Sequence, residues 1–367
     1  MTSTPIRWGF LSTAGIARKN WQALLFSGTG SVAAVASRDQ AKAAAFIAEC
    51  QREAAFPTVP RACGSYEELL ADPSIQAVYI PLPTGLRKEW VLRAARAGKH
   101  VLCEKPCALD AKDLAEMIDA CRAANVQFMD GVMFMHTRRL AAIRNVLDAA
   151  ELGTLRRIHS QFSFNAPAEF LAGNIRMSSH LEPQGCLGDL GWYTIRMTLW
   201  TLGYLMPERV SGRILAAQGR SDSPGAVPME FSAELFFPGG LSASFYNSFQ
   251  TEHQQIFIAS GTSGYLKLDD FVLPFHGSET RFTVTNSSFD VDGCRFNMAP
   301  GRREISCAEY SNNHPTAQET NLFRTFNTLV AGGSPDPHWP EIALKTQKVM
   351  DACLASARNN GTPVPVS

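Results

Sequence analysis

The chain has 367 residues, enough for two domains, and its 45% apolar and 19% charged residues are typical of a globular protein. Basic and acidic residues each number 34, so we expect no bulk attraction to nucleic acid or to an anionic membrane. No apolar run approaches a membrane span, and the start MTSTPIRWGF lacks the basic-then-apolar order of a secretion signal.

The cysteines are odd in number, include no C-x-x-C pair and mostly lie in apolar stretches. They are Cys50, Cys63, Cys103, Cys107, Cys121, Cys186, Cys294, Cys307 and Cys353. This pattern predicts reduced thiols and a cytoplasmic protein, and it disfavours a zinc site.

The first third of the chain alternates strand and helix signals. Strands are predicted at IRWGFL, SVAAVAS, QAVYIPL, HVLCE and VQFMDGVM, and helices over residues 15–27, 38–50, 65–70, 87–99 and 110–125. Ser65 and Glu68 form a capping-box pattern, and Gly98 is typical of the glycine that ends a helix. This alternation predicts a doubly wound parallel α/β sheet, a Rossmann domain over residues 1–132.

The pattern changes beyond residue 132. Two helices, RRLAAIRNVLDAA and LGDLGWYTIRMTLWTLG, flank the alternating strand TLRRIHSQFSFN. From residue 209 to about 310, short alternating segments recur between Gly, Pro and Asn, which is typical of an antiparallel sheet. Two helices, starting near residues 316 and 341, close the chain. We therefore expect a second, α+β domain over residues 133–367, built on a large open antiparallel sheet.

The stretch GFLSTAGIARKN runs from the end of the first predicted strand through a turn into the first predicted helix. A G-x-G-x-x-G register places Ser12, Ala14 and Ala17 at the three glycine positions of a dinucleotide-binding turn. Such a turn needs small side chains so that backbone N–H groups can approach a pyrophosphate. Ser and Ala partly meet that need, so the stretch fits a nucleotide site or an ordinary strand-to-helix turn.

The second strand ends in VASRD, which places Ser37 and Arg38 where NAD sites usually carry an acidic residue. An arginine can pair with the 2′-phosphate of NADP, and this favours NADP over NAD. The alternative is a solvated arginine before a helix that begins at Asp39.

The strongest local signal is KHVLCEKPCAL. A buried strand delivers Glu104 and Lys105 to the carboxyl edge of the sheet, where open α/β sheets bind their ligands. Pro106 restricts the backbone of Lys105, and a lysine held beside a nicotinamide can polarise a hydroxyl or carbonyl. The alternative is a surface lysine in a turn.

The second signal is GCLGDLGWYTI, in which Asp189 and Tyr193 are four residues apart and share one face of a helix. A tyrosine near a lysine can exchange protons, and the aspartate can orient a substrate hydroxyl. The alternative is a core aromatic residue and an acid at a helix start.

Together, RWGFLSTAGIA, SYEELLADPSIQAVYIPLP, AGKHVLCEKP and GCLGDLGWY resemble the Gfo/Idh/MocA oxidoreductases over essentially the whole chain. The segments YIPLPTGLRKEW, MDGVMFMHTRR and GDLGWY are most similar to the branch of dimeric dihydrodiol dehydrogenases and NADP-linked D-xylose dehydrogenases.

The resemblance implies that Lys105 is the catalytic lysine, Tyr193 the general acid/base and Asp189 a catalytic or substrate-binding residue. It further implies a substrate-side arginine at Arg176. The implied cofactor-binding residues are Ser12, Thr13, Ala14, Ile16, Ser37, Arg38, Leu82, Pro83, Glu104 and Lys105.

Two features depart from the family pattern. Ser12 and Ala14 replace glycines. Arg87 stands where many members have histidine, and it is expected either to favour an anionic substrate or, more simply, to face solvent.

We therefore expect an NADP-dependent oxidoreductase, with NAD as a possible cofactor, acting on a D-xylose-like aldose, another sugar or polyol, or a trans-dihydrodiol. A homodimer through the open sheet, or a higher homo-oligomer, is expected, with no nucleic acid or membrane as partner. One alternative is redox-assisted elimination or glycoside cleavage with a retained nucleotide, and another is a non-catalytic NADP-binding regulator, which would need neither Lys105 nor Tyr193.

Overall fold

A computed structural model describes residues 5–366, so the first four residues of MTSTPIRWGF and residue 367 lie outside the described part. The chain forms two compact units. The first contains the chain up to His136 together with residues 180–182 and 312–347, and the remaining segments form the second. The domain boundary near residue 132 stays a prediction. The sequence pattern had assigned residues 312–347 to the second domain.

The first unit is built on six parallel strands with helices between them. The strands are β1 (Ile6–Leu11), β2 (Gly30–Ala36), β3 (Arg61–Cys63), β4 (Ala77–Ile80), β5 (His100–Cys103) and β6 (Phe128–Asp130). The helices are α1 (Gly15–Ser27), α2 (Gln40–Glu53), α3 (Tyr66–Leu70), α4 (Thr84–Arg96) and α5 (Ala111–Ala123). The strand order β3-β2-β1-β4-β5-β6 is that of a doubly wound dinucleotide-binding fold, so the predicted α/β architecture is confirmed.

Local sequence explains most of these elements. Every residue of β4 is buried, as expected for a central parallel strand covered on both faces. Ser65 accepts a hydrogen bond from the Glu68 N–H at 3.1 Å and so caps α3 as predicted. The Glu68 carboxylate accepts from the N–H of Gly64, one residue before the expected partner. Gly98 adopts φ +69° just after α4, a conformation that glycine reaches without strain.

Two further helices follow late in the chain, α9 (Gln318–Ala331) and α10 (His338–Arg358). Helix α9 belongs to the first unit because it packs on β1. The Trp8 indole donates to Asn327 Oδ1 at 2.9 Å and contacts the ring of Phe323 at 5.2 Å between centroids. A helix some 300 residues from β1 therefore completes the core of the first sheet.

Within the described residues, the second unit contains one large sheet, one separate hairpin, three complete α-helices and residues 348–358 of α10. The helices are α6 (Arg139–Asp148), α7 (Ala168–Gly173) and α8 (Trp192–Thr201). The strands are β7 (Leu155–Asn165), β8 (Arg209–Gly219), β9 (Ala226–Phe236), β10 (Ser242–Ser248), β11 (Gln250–Gly261), β12 (Tyr265–Leu268), β13 (Glu279–Thr285), β14 (Ser288–Asp292), β15 (Arg295–Ala299), β16 (Arg302–Ala308) and β17 (Val364–Pro365). Strands β14 and β15 form the separate hairpin.

The large sheet has the order β16-β13-β12-β11-β7-β10-β9-β8-β17. Between residues 5 and 366 all its pairs are antiparallel except β10 with β7. One face is apolar and buried, as Phe231, Phe245 and Phe257 illustrate. The opposite face is half-exposed and carries residues such as Ser232, Tyr246 and Ile256. The predicted open antiparallel sheet is therefore confirmed, with one parallel pair inside it.

All nine cysteines have free thiols, and seven of them are buried. No described helix combines the length and the apolar character needed to cross a bilayer. Within residues 5–366, no group of three or more His, Cys, Asp or Glu side chains is arranged to hold a metal ion.

Candidate active site

The dinucleotide turn connects β1 to α1 through Ser12, Thr13 and Ala14. Ser12 adopts φ +143°, a region that side-chain-bearing residues rarely occupy and that glycine tolerates. Its hydroxyl accepts a hydrogen bond from the Ala14 N–H at 3.1 Å. The serine therefore holds a glycine-like backbone conformation at some cost in strain, as is common at functional sites.

The start of α1 has the features of an anion-binding site. Ala14 is the N-cap residue and supplies no side-chain hydrogen bond, and the first turn contains no acidic residue. A Cβ atom added to Gly15 would meet no atom within 4 Å, and Ile16 is exposed. Backbone N–H groups and the positive end of the helix dipole therefore stay open to a pyrophosphate, which these residues fit.

Ser37 and Arg38 follow β2 at the same edge of the sheet. Ser37 is buried, and its hydroxyl accepts from the Asp39 N–H at 3.4 Å. Asp39 in turn caps α2 by accepting from the Ala41 N–H at 2.9 Å. Arg38 is exposed and forms no ion pair with any residue that the structure describes. Burial raises the pKa of Tyr66, and the nearby Arg38 charge opposes this.

Glu104 follows β5 and is 9% exposed. Its Oε1 accepts from the Tyr79 hydroxyl at 2.6 Å, and its Oε2 accepts from the Lys105 N–H at 3.3 Å. Burial and the adjacent carboxylate raise the pKa of Tyr79 well above its ordinary value. Tyr79 also accepts from the Asn20 amide at 2.6 Å. Glu104 is therefore held inside the first unit, where it orders the backbone of the catalytic-lysine candidate.

Lys105 is also 9% exposed and precedes a cis peptide bond to Pro106. It lies two residues beyond the end of β5, and Ser12 directly follows β1. Because both strands belong to one parallel sheet, the lysine and the dinucleotide turn lie at the same carboxyl edge. The alternative of an exposed surface lysine is wrong.

The expectation that Arg87 faces solvent is wrong as well, because the residue is only 5% exposed. Its Nε donates to the Leu82 carbonyl at 2.7 Å, and its Nη1 donates to Thr84 Oγ1 at 3.0 Å and to the Pro106 carbonyl. Pro83 lies between these partners as the N-cap residue of α4. The arginine therefore ties two loops together beside Lys105.

Helix α4 begins at Thr84 rather than at the predicted residue 87. The Glu182 carboxylate accepts from the Thr84 N–H at 2.9 Å and from the Thr84 hydroxyl at 2.6 Å. A distant carboxylate thus caps the first turn of the helix. Local sequence could not show this partner.

In the second unit, Arg176 and Asp189 form an ion pair with Nε and Oδ2 2.6 Å apart. Arg176 lies in the short 3₁₀ helix Ile175–Met177, whose Asn174 cap accepts from the Arg176 N–H at 3.0 Å. The Asp189 side chain is 12% exposed and that of Arg176 37%. The structure therefore brings the two predicted substrate-binding residues together.

Asp189 lies in a π-helical turn, Leu187–Gly191, that leads directly into α8. Such turns are often found at functional sites. Gly185, just before this turn, adopts φ +49°, and an added Cβ would lie 2.2 Å from the Pro228 carbonyl oxygen. Any larger residue at this position would clash with the backbone of β9, so a glycine is required for the π-helical turn to pack against that strand.

Tyr193 is the second residue of α8 and is 6% exposed. Its ring packs edge-to-face against Phe162 on β7, with centroids 5.6 Å apart. Lys105 belongs to the first unit and Tyr193 to the second. Their joint action on one substrate stays a prediction.

Sequence reasoning missed Asn20, Tyr79, Thr84 and Glu182. A signal existed for Tyr79, which is the only residue with a polar tip in the otherwise aliphatic strand AVYI. A buried tyrosine needs a hydrogen-bond partner, and the strand end nearby offers Glu104. Thr84 and Glu182 carried no comparable local signal.

Two family models match the chain. The model described as the oxidoreductase family with an NAD-binding Rossmann fold matches residues 6–132. The model described as the GFO/IDH/MocA C-terminal domain matches residues 140–267. Together they cover more than half of the chain.

Individual proteins are similar over most of their length. A D-xylose 1-dehydrogenase (NADP(+)) from Haloferax volcanii is 36% identical over 71% of this chain and 74% of its own. The trans-1,2-dihydrobenzene-1,2-diol dehydrogenase of Mus musculus is 31% identical over 84% of this chain and 86% of its own. KijD10, a 3-ketoreductase from Actinomadura kijaniata solved with NADP and TDP-benzene, shares the fold with a TM-score of 0.79 at 24% identity, covering 96% and 98% of the two chains.

Proposed function

Because the chain belongs to the Gfo/Idh/MocA oxidoreductase family, we propose that it moves a hydride between NADP and a carbon of a sugar or cyclic polyol. The observation that carries the proposal is the placement of Lys105. This lysine is buried, fixed by its neighbours and set at the same sheet edge as the dinucleotide turn.

NADP is the proposed cofactor, and NAD is the alternative. The open N-terminus of α1 accommodates a pyrophosphate, and Arg38 offers a guanidinium at the ribose end. A dehydrogenase and a reductase among the similar proteins support NADP. The D-xylose dehydrogenase is named as NADP-dependent, and the 3-ketoreductase KijD10 was solved with NADP.

In the proposed reaction, Tyr193 removes the proton of the substrate hydroxyl or returns it, and the Lys105 ammonium stabilises the developing alkoxide. When bound, the nicotinamide accepts or supplies the hydride. Asp189 orients a second hydroxyl by accepting its hydrogen bond, and Arg176 holds that carboxylate in place. Leu82 and Pro83 would contact the nicotinamide of a bound cofactor.

The substrates to try first are a D-xylose-like aldose and a trans-dihydrodiol. The names of the relatives suggest both classes, and each carries adjacent hydroxyls. The Arg176–Asp189 pair suits such a diol because it presents both a donor and an acceptor.

A substrate screen that follows the absorbance of NADPH tests the proposal with wild type, Lys105→Ala, Tyr193→Phe and the double variant. We expect each single variant to lose kcat and the double variant to lose little more, because residues that act as one unit are not additive. Fully multiplicative losses would contradict joint action. Variants that match wild type would refute the assignment. Turnover with retained nucleotide and no net change in NADPH would indicate the elimination chemistry instead.

The proposal extends to the setting of the enzyme. Buried free thiols support a cytoplasmic location. The half-exposed face of the large sheet supports a homodimer in which two copies of that face pair.

A further inference from the structure

Arg87 is a buried cation with no role in the proposed chemistry. It lies in the first turn of α4, is 5% exposed and makes no ion pair with a described carboxylate. Burying a guanidinium costs several kcal/mol unless its donors are paired. Here three oxygens accept from it, those of Leu82, Thr84 and Pro106. The free-energy cost of burying this guanidinium indicates that Arg87 has a role beyond packing.

The carbonyl partners of Arg87 belong to two different loops. Leu82 lies between β4 and α4, and Pro106 lies between β5 and α5. The Pro106 carbonyl follows Lys105 by one residue, so this hydrogen bond fixes the backbone that carries the lysine. The Glu104 carboxylate fixes the other side by accepting from the Lys105 N–H at 3.3 Å. The backbone at Lys105 is therefore held on one side by the Glu104 carboxylate and on the other by the Arg87 guanidinium.

Arg87 is also linked, through Thr84, to Glu182, which lies far away in the sequence. The Thr84 hydroxyl donates to Glu182 at 2.6 Å, while its oxygen accepts from Arg87 Nη1 at 3.0 Å. The contact from the same hydroxyl to the Pro106 carbonyl is longer, 3.5 Å, so the single hydroxyl proton serves Glu182. Glu182, Thr84, Arg87 and Pro106 thus form one continuous chain of hydrogen bonds that ends beside the lysine.

We propose that Arg87 is a positioning residue for Lys105, with Thr84 and Glu182 holding the guanidinium in its working orientation. The inference rests on the proposed function, because it assigns Arg87 to the placement of that catalytic lysine. Arg87 acts through the Pro106 carbonyl and does not touch the substrate. A small displacement of a catalytic group can cost on the order of 100-fold in rate.

The test compares Arg87→Met and Arg87→Lys with Arg96→Met, an exposed arginine on the same helix. We expect Arg87→Met to lower kcat by roughly 10-fold to 100-fold. The dissociation constant for NADP, measured by fluorescence titration, should change little. Arg87→Lys keeps the charge and one strong donor, so it should recover part of kcat. Arg96→Met should match wild type.

A second readout needs no substrate. Acetylation of Lys105 by acetic anhydride is followed against pH by peptide mass spectrometry, with exposed Lys112 as the internal reference. We expect Arg87→Met to change the rate and the pH midpoint of Lys105 acetylation relative to Lys112. Thr84→Val should shift both in the same direction by less, which keeps the test decisive if Arg87→Met does not fold.

The outcomes are separable. If wild type turns over no sugar or diol, the proposed function fails, while the acetylation profile still decides the role of Arg87. If the profiles of Arg87→Met and Thr84→Val both match that of wild type, the positioning role is overturned. A loss of NADP affinity with an unchanged acetylation profile overturns it too, because the residue would then support only the cofactor loop.

Discussion

Ser12 shows how a single residue can meet a demand that usually selects glycine. Its φ of +143° is strained for any residue with a Cβ, and such strain costs about 1–3 kcal/mol. We expect Ser12→Gly to be more stable than Ser12→Ala by about 1 kcal/mol or more in urea unfolding. Both variants lack the hydroxyl that accepts from Ala14, so their difference isolates the backbone. Equal stabilities would show that the turn relaxes around an added Cβ.

Arg38 decides the choice of cofactor in our proposal. A charge-assisted hydrogen bond to a phosphate contributes about 1.5–3 kcal/mol, so Arg38→Gln should weaken NADP binding by roughly 10-fold to 100-fold. Binding of NAD should change little, because NAD lacks the 2′-phosphate. Calorimetric titration of both nucleotides measures the two effects.

The control for Arg38 is Arg52→Gln, another exposed arginine, in the last turn of α2. This variant should bind both nucleotides like wild type. Equal losses of NAD and NADP affinity in Arg38→Gln would contradict a specific contact with the 2′-phosphate and would indicate a structural role.

At this scale the sequence predicted residues that carry a motif and missed those whose partners are distant. Lys105 follows a recognisable strand and precedes proline, so its place at the sheet edge was predictable. Arg87 lies in a helix rich in charged residues, so its sequence predicts exposure to solvent. Its burial is made possible by hydrogen bonds to partners such as the Pro106 carbonyl, 19 residues away. Every residue has a backbone carbonyl, so a side chain that donates to backbone oxygens has no partner that can be recognised by its residue type.

The second scale is that of the elements, and His100 at the start of β5 illustrates their pH dependence. Burial lowers the pKa of His100, and its Nδ1 accepts from the Gln127 N–H at 2.9 Å, which only an unprotonated nitrogen can do. The stabilisation is therefore fully present above the ordinary pKa of about 6.5 and is lost as pH falls below it. We expect on the order of 1 kcal/mol from this bond.

His100→Asn provides the measurement for this contact, since the amide oxygen can accept the same N–H and does not titrate. Between pH 7.5 and 5.5, the urea midpoint of wild type should fall relative to that of His100→Asn. A constant difference across this range would mean that protonation of His100 does not reach the contact between β5 and β6.

Element prediction succeeded where spacing is regular and ended where tertiary contacts take over. The bounds of β1 and α1 were predicted from periodicity and turn residues alone. Helix α4 starts earlier than predicted because Glu182 caps it. Strands β14, β15 and β16 were not predicted individually, and both strands of the hairpin are exposed along their whole length. Both hairpin strands, SFDVD and RFNMA, nonetheless alternate apolar and polar residues, so a local strand signal was present and was overlooked.

On the scale of the whole molecule, chain order and spatial order diverge. Residues 180–182 and 312–347 belong to the first unit although the sequence runs through the second unit between them. Trp8 and Asn327, 319 residues apart in the sequence, form a hydrogen bond inside this unit. No local feature of β1 or of α9 indicates that the two elements pack together. The sequence therefore predicted the two types of domain but did not predict that residues 312–347 return to the first one.

The open face of the large sheet is the second whole-molecule feature. Strand register places Ser244, His159, Ile258 and Lys267 in one row across this face. The neighbouring row contains Ser232, Tyr246, Gln161 and Ile256. Solvated sheet faces normally carry polar residues, so the isoleucines and the tyrosine support a buried partner surface.

The dimer prediction therefore concerns Ile258→Lys. In a two-fold symmetric interface a residue near the centre meets its own copy or a close neighbour, so a new lysine there faces a second lysine and nearby Lys267. Such juxtaposition of like charges costs several kcal/mol, and the dimer dissociation constant should rise by about 100-fold or more in sedimentation velocity experiments. The control Ser221→Lys adds the same charge to the exposed turn between β8 and β9 and should leave the dimer intact. A wild type that sediments as a monomer would refute the proposed dimer. An Ile258→Lys variant that dimerises like wild type would place the contact elsewhere, because an interface built on this face would be weakened by the added charge.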